Sequence, residues 1–450
     1  MPQPSTERVT DLGNAIVWKW LRGSITRQFQ SNIGRNASWM LGGQGLQLAA
    51  QIAYFVIIGH VLGPRGYGIF VACTALILTI SPFSPWGMGH VMIKYVARDP
   101  RVLPIYFGNA LLVTLSSGLV LTLLALLIRP VVLPPSVTAA MVVAVAFADL
   151  ICASMTYVCS QVFLALERAR RSAQVLALAA GLRLLAAIVL ASTTATPMRW
   201  AYLYAAAAVV ATTVGILEVS CCCGRPRVRF NLLLPSVREG FHFATAQAAE
   251  TLYTSIDKTM LARLSTVEAA AIYAVAYRFI DAAMLPVRSL AAATYPEFFR
   301  RGAHGVTSSY QFARQILRRS VAYGIVTSIV LFLAAGLVPS IMGAGYAESS
   351  TALRWLCILP VIKSVNAFLT DTLTGANHQW QRSSTQIMVA VINVILNLWL
   401  IRAFSWRGAA WSSVLADALL MLTLYLIIRW HVYRESRTVC PPAATLVEGA

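Results

Sequence analysis

Six ionisable side chains between Gly240 and Arg301 carry the chemistry that this sequence offers. Glu250, Asp257, Lys258, Arg278, Asp281 and Arg288 fall in two apolar runs joined by a short connection, Leu264 to Val267, and so come to lie at lipid depth. An ionised group at the centre of a bilayer costs from roughly 3 to more than 10 kcal/mol, so these groups must face a bundle interior or a wet cavity. On a helix turning roughly 100° per residue, Gln247, Glu250, Thr251, Thr254, Asp257 and Lys258 share a stripe about 120° wide, with Leu252, Ile256 and Met260 opposite. A polar stripe on an otherwise apolar helix points to binding or translocation of a polar solute.

The elements that must hold these residues follow from composition. Of 450 residues, 58% are hydrophobic and only 12% charged, with mean hydropathy +0.68, where a soluble domain is about a quarter charged. This is an all-α polytopic membrane protein. Twelve apolar stretches are long enough to cross about 30 Å of hydrocarbon, six between Ser38 and Cys222 and six between Phe241 and Ile428. The expected division is a tail over 1–37, a first six-helix lobe over 38–223, a linker over 224–240, a second lobe over 241–429 and a tail over 430–450. Pro82, Pro85, Pro286 and Pro360 lie inside spans and are expected to kink or interrupt them.

Lys and Arg number 36 against 17 Asp and Glu. In a soluble protein that excess would suggest nucleic acid; here it gathers in short connections between apolar runs. With the amino terminus in the cytoplasm, 24 of the 36 fall in cytoplasmic segments and 6 in outer ones, which by the positive-inside rule predicts both termini inside. The Trp18 to Arg22 stretch reads as a juxtamembrane or surface-lying anchor. The cysteines show no metal-ligand or redox spacing, so Cys73, Cys152, Cys159 and Cys357 read as small core residues and Cys221 to Cys223 as filling at a helix end. No phosphate-cradling Gly-rich loop, paired-aspartate sugar-nucleotide motif or nucleophile elbow is present, so no catalytic residue, cofactor or metal is expected.

The halves look like repeats. Gln44, Gln47 and Gln51 share one helical face, and 203 residues later the same positions are Gln247, Glu250 and Thr254. Six spans per half preserve orientation, so the repeats would be parallel about an axis normal to the membrane, with the substrate site between them.

Several segments then carry a family resemblance: Gly59-His60-Val61-Leu62-Gly63-Pro64-Arg65-Gly66-Tyr67-Gly68-Ile69-Phe70, Gly87 through Ala97, Ser255 through Leu261, Ile272 through Arg278, Met342 through Tyr346, and Asn393 to Asn397 followed by Gly408-Ala409-Ala410. In their order and spacing the chain resembles the multidrug/oligosaccharidyl-lipid/polysaccharide exporter superfamily, in its branch of O-antigen and exopolysaccharide flippases. The resemblance covers nearly everything after Asn36. It implies two six-helix lobes in a V, with a cationic cavity that moves an undecaprenyl-diphosphate-linked oligosaccharide across the bacterial inner membrane. It also implies polymerase and chain-length partners, and coupling to H+ or Na+. A cation-coupled multidrug exporter of the same superfamily is the alternative, and a membrane glycan polymerase or ligase a more distant one, since that class would be expected to carry a sizeable outer loop.

A diphosphate needs positive charge where water is scarce, and Arg supplies a fork of donors and Lys a point charge. Arg183, Lys258, Arg278, Arg288 and Lys363 are the candidate cavity cations; Arg354 and Lys94, near span ends, read as anchors. Glu250, Asp149, Asp281 and Asp257 are the candidate coupling or structural acids, with Asp371 and Asp417 as further carboxyls. Counted from Thr266, Asp257 and Arg278 are each about ten residues deep, roughly 15 Å, so they are expected to meet across the hairpin and leave Lys258 without a counter-ion. Arg288 is expected either to pair with Asp281 or to snorkel to the headgroups.

Overall fold

The computed structural model describes residues 32–96, 99–166 and 168–439, and side chains only in part of these; the side chains of Glu250 and His242 are not described. The stretch Trp18 to Arg22 and the tail beyond Val439 lie outside the described residues. All regular structure among the described residues is helical.

Asn32–Ile80 runs as one helical stretch except at Gly63, whose φ of 64° and ψ of 178° only glycine adopts without strain. Pro64 follows. The rings of Phe55 and Tyr67, twelve positions apart and thus about 18 Å along an unbroken helix, lie 5.5 Å apart. The chain therefore doubles back at Gly63, giving α1 (32–62) and α2 (64–96). α2 is itself interrupted over 81–87 by Pro82 and Pro85, before Met88–Val96 resumes it. The other spans are α3 (Leu103–Val132), α4 (Ala139–Ala165), α5 (Ala169–Ala191), α6 (Pro197–Cys223), α7 (Phe230–Leu264), α8 (Val267–Ala283 with Leu285–Gly302), α9 (Val306–Met342), α10 (Ala347–Leu356 with Leu359–Gly375), α11 (Gln379–Phe404) and α12 (Trp406–Val439).

Length and apolarity alone pick out eight crossing helices among the described residues, or ten if each bent pair counts as one span. The reversal at Gly63 splits one of these into two. α7, 35 residues long, is the twelfth and fails the apolar test because of its polar stripe. The bends of 46° in α8 and 49° in α10 sit just before Pro286 and Pro360, where the missing N–H and the ring break the ladder. The connection after α6 is open chain only over 224–229; from Phe230 the residues expected to be linker are the first turns of α7.

The repeat is visible in these boundaries. α1 turns into α2 at Gly63 and α7 into α8 at Ser265; α3 begins at Leu103 and α9 at Val306. At the end bearing the connections 133–138, 193–196, 264–266 and 343–346, the halves share one core, in which Trp200, Tyr273, Met342 and Tyr346 are fully buried and the Tyr346 hydroxyl donates to the Gly59 carbonyl at 3.1 Å. At the opposite, Arg-rich end the cores are separate, one around Met88, Phe107 and Phe163 and one around Val306, Leu369 and Leu424. Two six-helix lobes joined at one end and parted at the other make the V.

α7 crosses between them. Its start lies on the first lobe, where Lys94 Nζ meets Glu239 Oε1 at 2.6 Å and Asn109 exchanges two hydrogen bonds with the backbone of Arg229. A Cβ on Gly87 would overlap the Gly240 carbonyl, so this crossing is made backbone to backbone. Farther along, α7 packs on α8 and α11 of the second lobe.

Candidate functional site: a cavity between the lobes

α8 starts where Thr266 accepts the Ala269 N–H at 3.0 Å, with Glu268 in the first turn. This cap fixes the depth of everything after it. Asp257 stands nine residues before Thr266, Tyr273 seven after it and Arg278 twelve after it, so Tyr273 lies somewhat nearer the depth of Asp257, and about 140° of azimuth on α8 separates it from Arg278.

The Tyr273 hydroxyl donates to Asp257 Oδ2 at 2.5 Å and also meets Ser413 Oγ of α12 at 2.7 Å. The other carboxylate oxygen takes the Lys258 backbone N–H at 2.8 Å and lies 3.6 Å from Lys258 Nζ. The expected Asp257 to Arg278 bridge is therefore corrected: Arg278 lies one residue, or roughly 100°, round the helix from Tyr277. It shares the lining of one cavity with Tyr67 and Asp281 and of the adjoining one with Tyr54. The expectation that Lys258 has no counter-ion in its hairpin falls with it.

On α10, Lys363 Nζ lies 3.1 Å from Asp417 Oδ2 of α12, and the Asn366 amide donates to the Asp417 backbone carbonyl at 3.0 Å and to its Oδ1 at 3.4 Å. The Tyr277 ring lies 4.7 Å from Lys258 Nζ and 5.9 Å from Lys363 Nζ. Arg288 Nη2 bonds Asp281 Oδ1 at 3.0 Å across the bend of α8, with both side chains largely exposed; of the two expected alternatives, pairing is the one seen.

These groups line a cavity of about 480 Å³. Tyr67 and Tyr277 of the shared core line it, together with Leu78, Gln247 and Arg288. Among the described residues, Lys258, Arg278, Arg288 and Lys363 bring four positive charges to its lining, against Asp281 and Asp417. A diffuse or multiply charged anion fits such a lining, because the carboxylates are already held by neutral donors or by their own cations.

A second cavity of about 380 Å³ adjoins the first, with Phe70, Thr74, Leu78, Gln247, Thr251 and Arg278 common to both and the rest of its lining supplied by the N-terminal lobe. Here Arg183 Nη2 lies 3.7 Å from Asp149 Oδ1, the Tyr204 hydroxyl donates to the same oxygen at 2.6 Å, and the guanidinium stands over the Tyr204 ring at 4.9 Å. Asp149 sits in a π-helical segment of α4, Phe147–Ala153, of a kind that recurs at functional sites.

The structure thus brings Lys258, Lys363, Arg278, Arg288 and Asp281 to one cavity and Arg183 and Asp149 to its neighbour. Asp257 is buried behind Lys258, Asp371 is buried near Arg382 away from both cavities, and Lys94 is tied to Glu239. Sequence reasoning missed Tyr273, Tyr277, Ser413 and Tyr204. Similar depth about Thr266 was the available signal for Tyr273; nothing in the sequence announces Ser413, whose role depends on how α12 packs.

No curated protein sequence matches the chain significantly. Among solved structures it is similar to an inward-facing multidrug resistance MATE family transporter of the MOP superfamily (TM-score 0.72, 16% identity, 88% of this chain and 96% of the other). An outward-facing structure of such a transporter is similar at TM-score 0.61 and 15% identity, over 90% and 96% of the two chains. A MOP superfamily transporter from Pyrococcus furiosus, described as having a binding pocket of reverse polarity, gives TM-score 0.58 and 15% identity over 91% and 96%. These likenesses show the transporter fold. In sequence, the model of polysaccharide biosynthesis proteins matches residues 33–301, more than half of the chain, and the protein belongs to that family.

Proposed function

We propose that the protein is a flippase that carries an undecaprenyl-diphosphate-linked oligosaccharide from the cytoplasmic to the periplasmic leaflet of the bacterial inner membrane, for surface polysaccharide assembly. The carrying observation is the cavity between the lobes, with Lys258, Arg278, Arg288 and Lys363 in its lining against Asp281 and Asp417. A diphosphate offsets the desolvation of such cations better than water does in a site of limited hydration. The Arg-rich end is taken as cytoplasmic, so the parted lobes open toward the compartment where the lipid-linked unit is made. The closer likeness to an inward-facing than to an outward-facing structure supports the same orientation. A drug exporter for organic cations is less well supported, because it would need acidic groups where these basic ones stand.

The test is deletion of the gene in its host. Surface glycan is expected to disappear while lipid-linked oligosaccharide accumulates in the cytoplasmic leaflet, and expression of the full chain is expected to restore both. Normal surface glycan together with lost efflux of cationic dyes would replace this reading with the drug-exporter one.

A further inference from the structure

The N-terminal pocket differs in kind from the cavity it adjoins. Among the described residues its one internal cation, Arg183, is neutralised in place by Asp149, and only Arg278, at the shared mouth, brings net charge. Its lining otherwise combines neutral hydrogen-bonding groups, among them Gln51 and Ser154, with aromatic side chains, among them Tyr54 and Tyr157, and with Leu78, Pro82 and Pro85. The Arg183 and Asp149 pair, braced by the Tyr204 hydroxyl, presents planar donors and acceptors at fixed positions with little net charge. A neutral ring bearing hydroxyls on its rim and C–H bonds on its faces is the chemical class this lining complements: the hydroxyls bridge to fixed planar groups and the face stacks on an aromatic ring. The volume, about 380 Å³, suits a small saccharide and not an extended chain.

We infer that this pocket is the subsite for the sugar nearest the diphosphate, so that the charged and the glycan parts of one substrate are divided between the two cavities, with Arg278 at their junction. The inference rests on the flippase reading. In it the central cavity takes the diphosphate, and the N-terminal pocket takes the first sugar and sets which glycans are accepted.

The test uses detergent-purified full-length protein and two probes: lipid-linked oligosaccharide extracted from cells lacking the protein, and undecaprenyl diphosphate bearing no sugar. Wild type is expected to bind both, the glycan-bearing lipid more tightly. Tyr157→Ala and Gln51→Ala, assayed separately so that poor folding of one leaves the other informative, are expected to weaken the glycan-bearing lipid about tenfold, the loss of one stacking or hydrogen-bonding partner, and to leave the bare lipid unchanged. Arg278→Gln is expected to weaken both. If the pocket variants weaken both probes equally, or neither, the sugar subsite is overturned while the flippase reading stands. If wild type binds neither lipid, the flippase reading itself fails and the subsite with it.

Discussion

The two lobes solve the same problem, a cation inside a membrane-embedded bundle, in different ways. In the N-terminal lobe Arg183 faces Asp149 at 3.7 Å, lies over the Tyr204 ring, and shares its carboxylate with the Tyr204 hydroxyl. The charges cancel within one cluster of three side chains, and among the described residues the pocket beside them adds only Arg278 at its mouth to a polar and aromatic lining. In the C-terminal lobe Lys363 faces Asp417 at 3.1 Å and Lys258 faces Asp257 at 3.6 Å, and both carboxylates are likewise held by neutral donors, Asn366 for one and Tyr273 for the other. What differs is the gathering of cations: Arg278 and Arg288 join Lys258 and Lys363 on one lining, where the described carboxylates are Asp281 and Asp417, so positive charge is left over on that surface. Related helices thus give one lobe a surface suited to neutral rings and the other a surface suited to anions.

The largest effect expected from breaking this comparison is on the tighter pair. Lys363→Met removes the ammonium facing Asp417, a side chain only 4% exposed, and breaking such a pair is expected to cost about 3 kcal/mol. The thermal midpoint in detergent and the membrane level should both fall. Adding Asp417→Leu should restore stability and leave transport impaired, because the cavity would then have lost one of its four cations; a stable and fully active double variant would remove Lys363 from the substrate path.

A smaller effect is expected in the other lobe. Asp149→Asn keeps a partner for the Tyr204 hydroxyl, and Arg183, 26% exposed and seated over the Tyr204 ring, keeps access to water and to the π face. The expected loss is about 1 kcal/mol, read as a small drop in thermal midpoint. A loss as large as that of Lys363→Met would mean that the two clusters are held alike and that their difference is one of geometry only.

Arg288→Gln is expected to do least. Its pair with Asp281 is 62% and 44% exposed, and exposed pairs contribute about 0 to 1 kcal/mol. Stability should be unchanged within error, while transport in reconstituted vesicles should slow by no more than a few-fold and lose part of its salt dependence. Abolished transport would move Arg288 from the rim to the centre of the site.

The sequence by itself determined that this is a twelve-span helical bundle in two related halves, because apolar runs of membrane length, loop charge and interior prolines are local properties of the chain. It marked Pro286 and Pro360 as breaks, and both lie at bends. It also marked Lys258, Arg278, Arg288 and Lys363 as charges that a lipid-facing surface would not tolerate. Tertiary structure decided their partners. Asp257 went to Tyr273 and not to Arg278 because a difference of a few residues in depth and about 140° in azimuth separates the two on α8, and such offsets are fixed only when helices settle into contact. The pairs Arg183 with Asp149 and Lys363 with Asp417 join residues more than thirty positions apart on different helices, and the π-helical segment that carries Asp149 has no marker in the sequence. Hydropathy places a charge at a depth; only the packing of neighbouring helices says what it meets there.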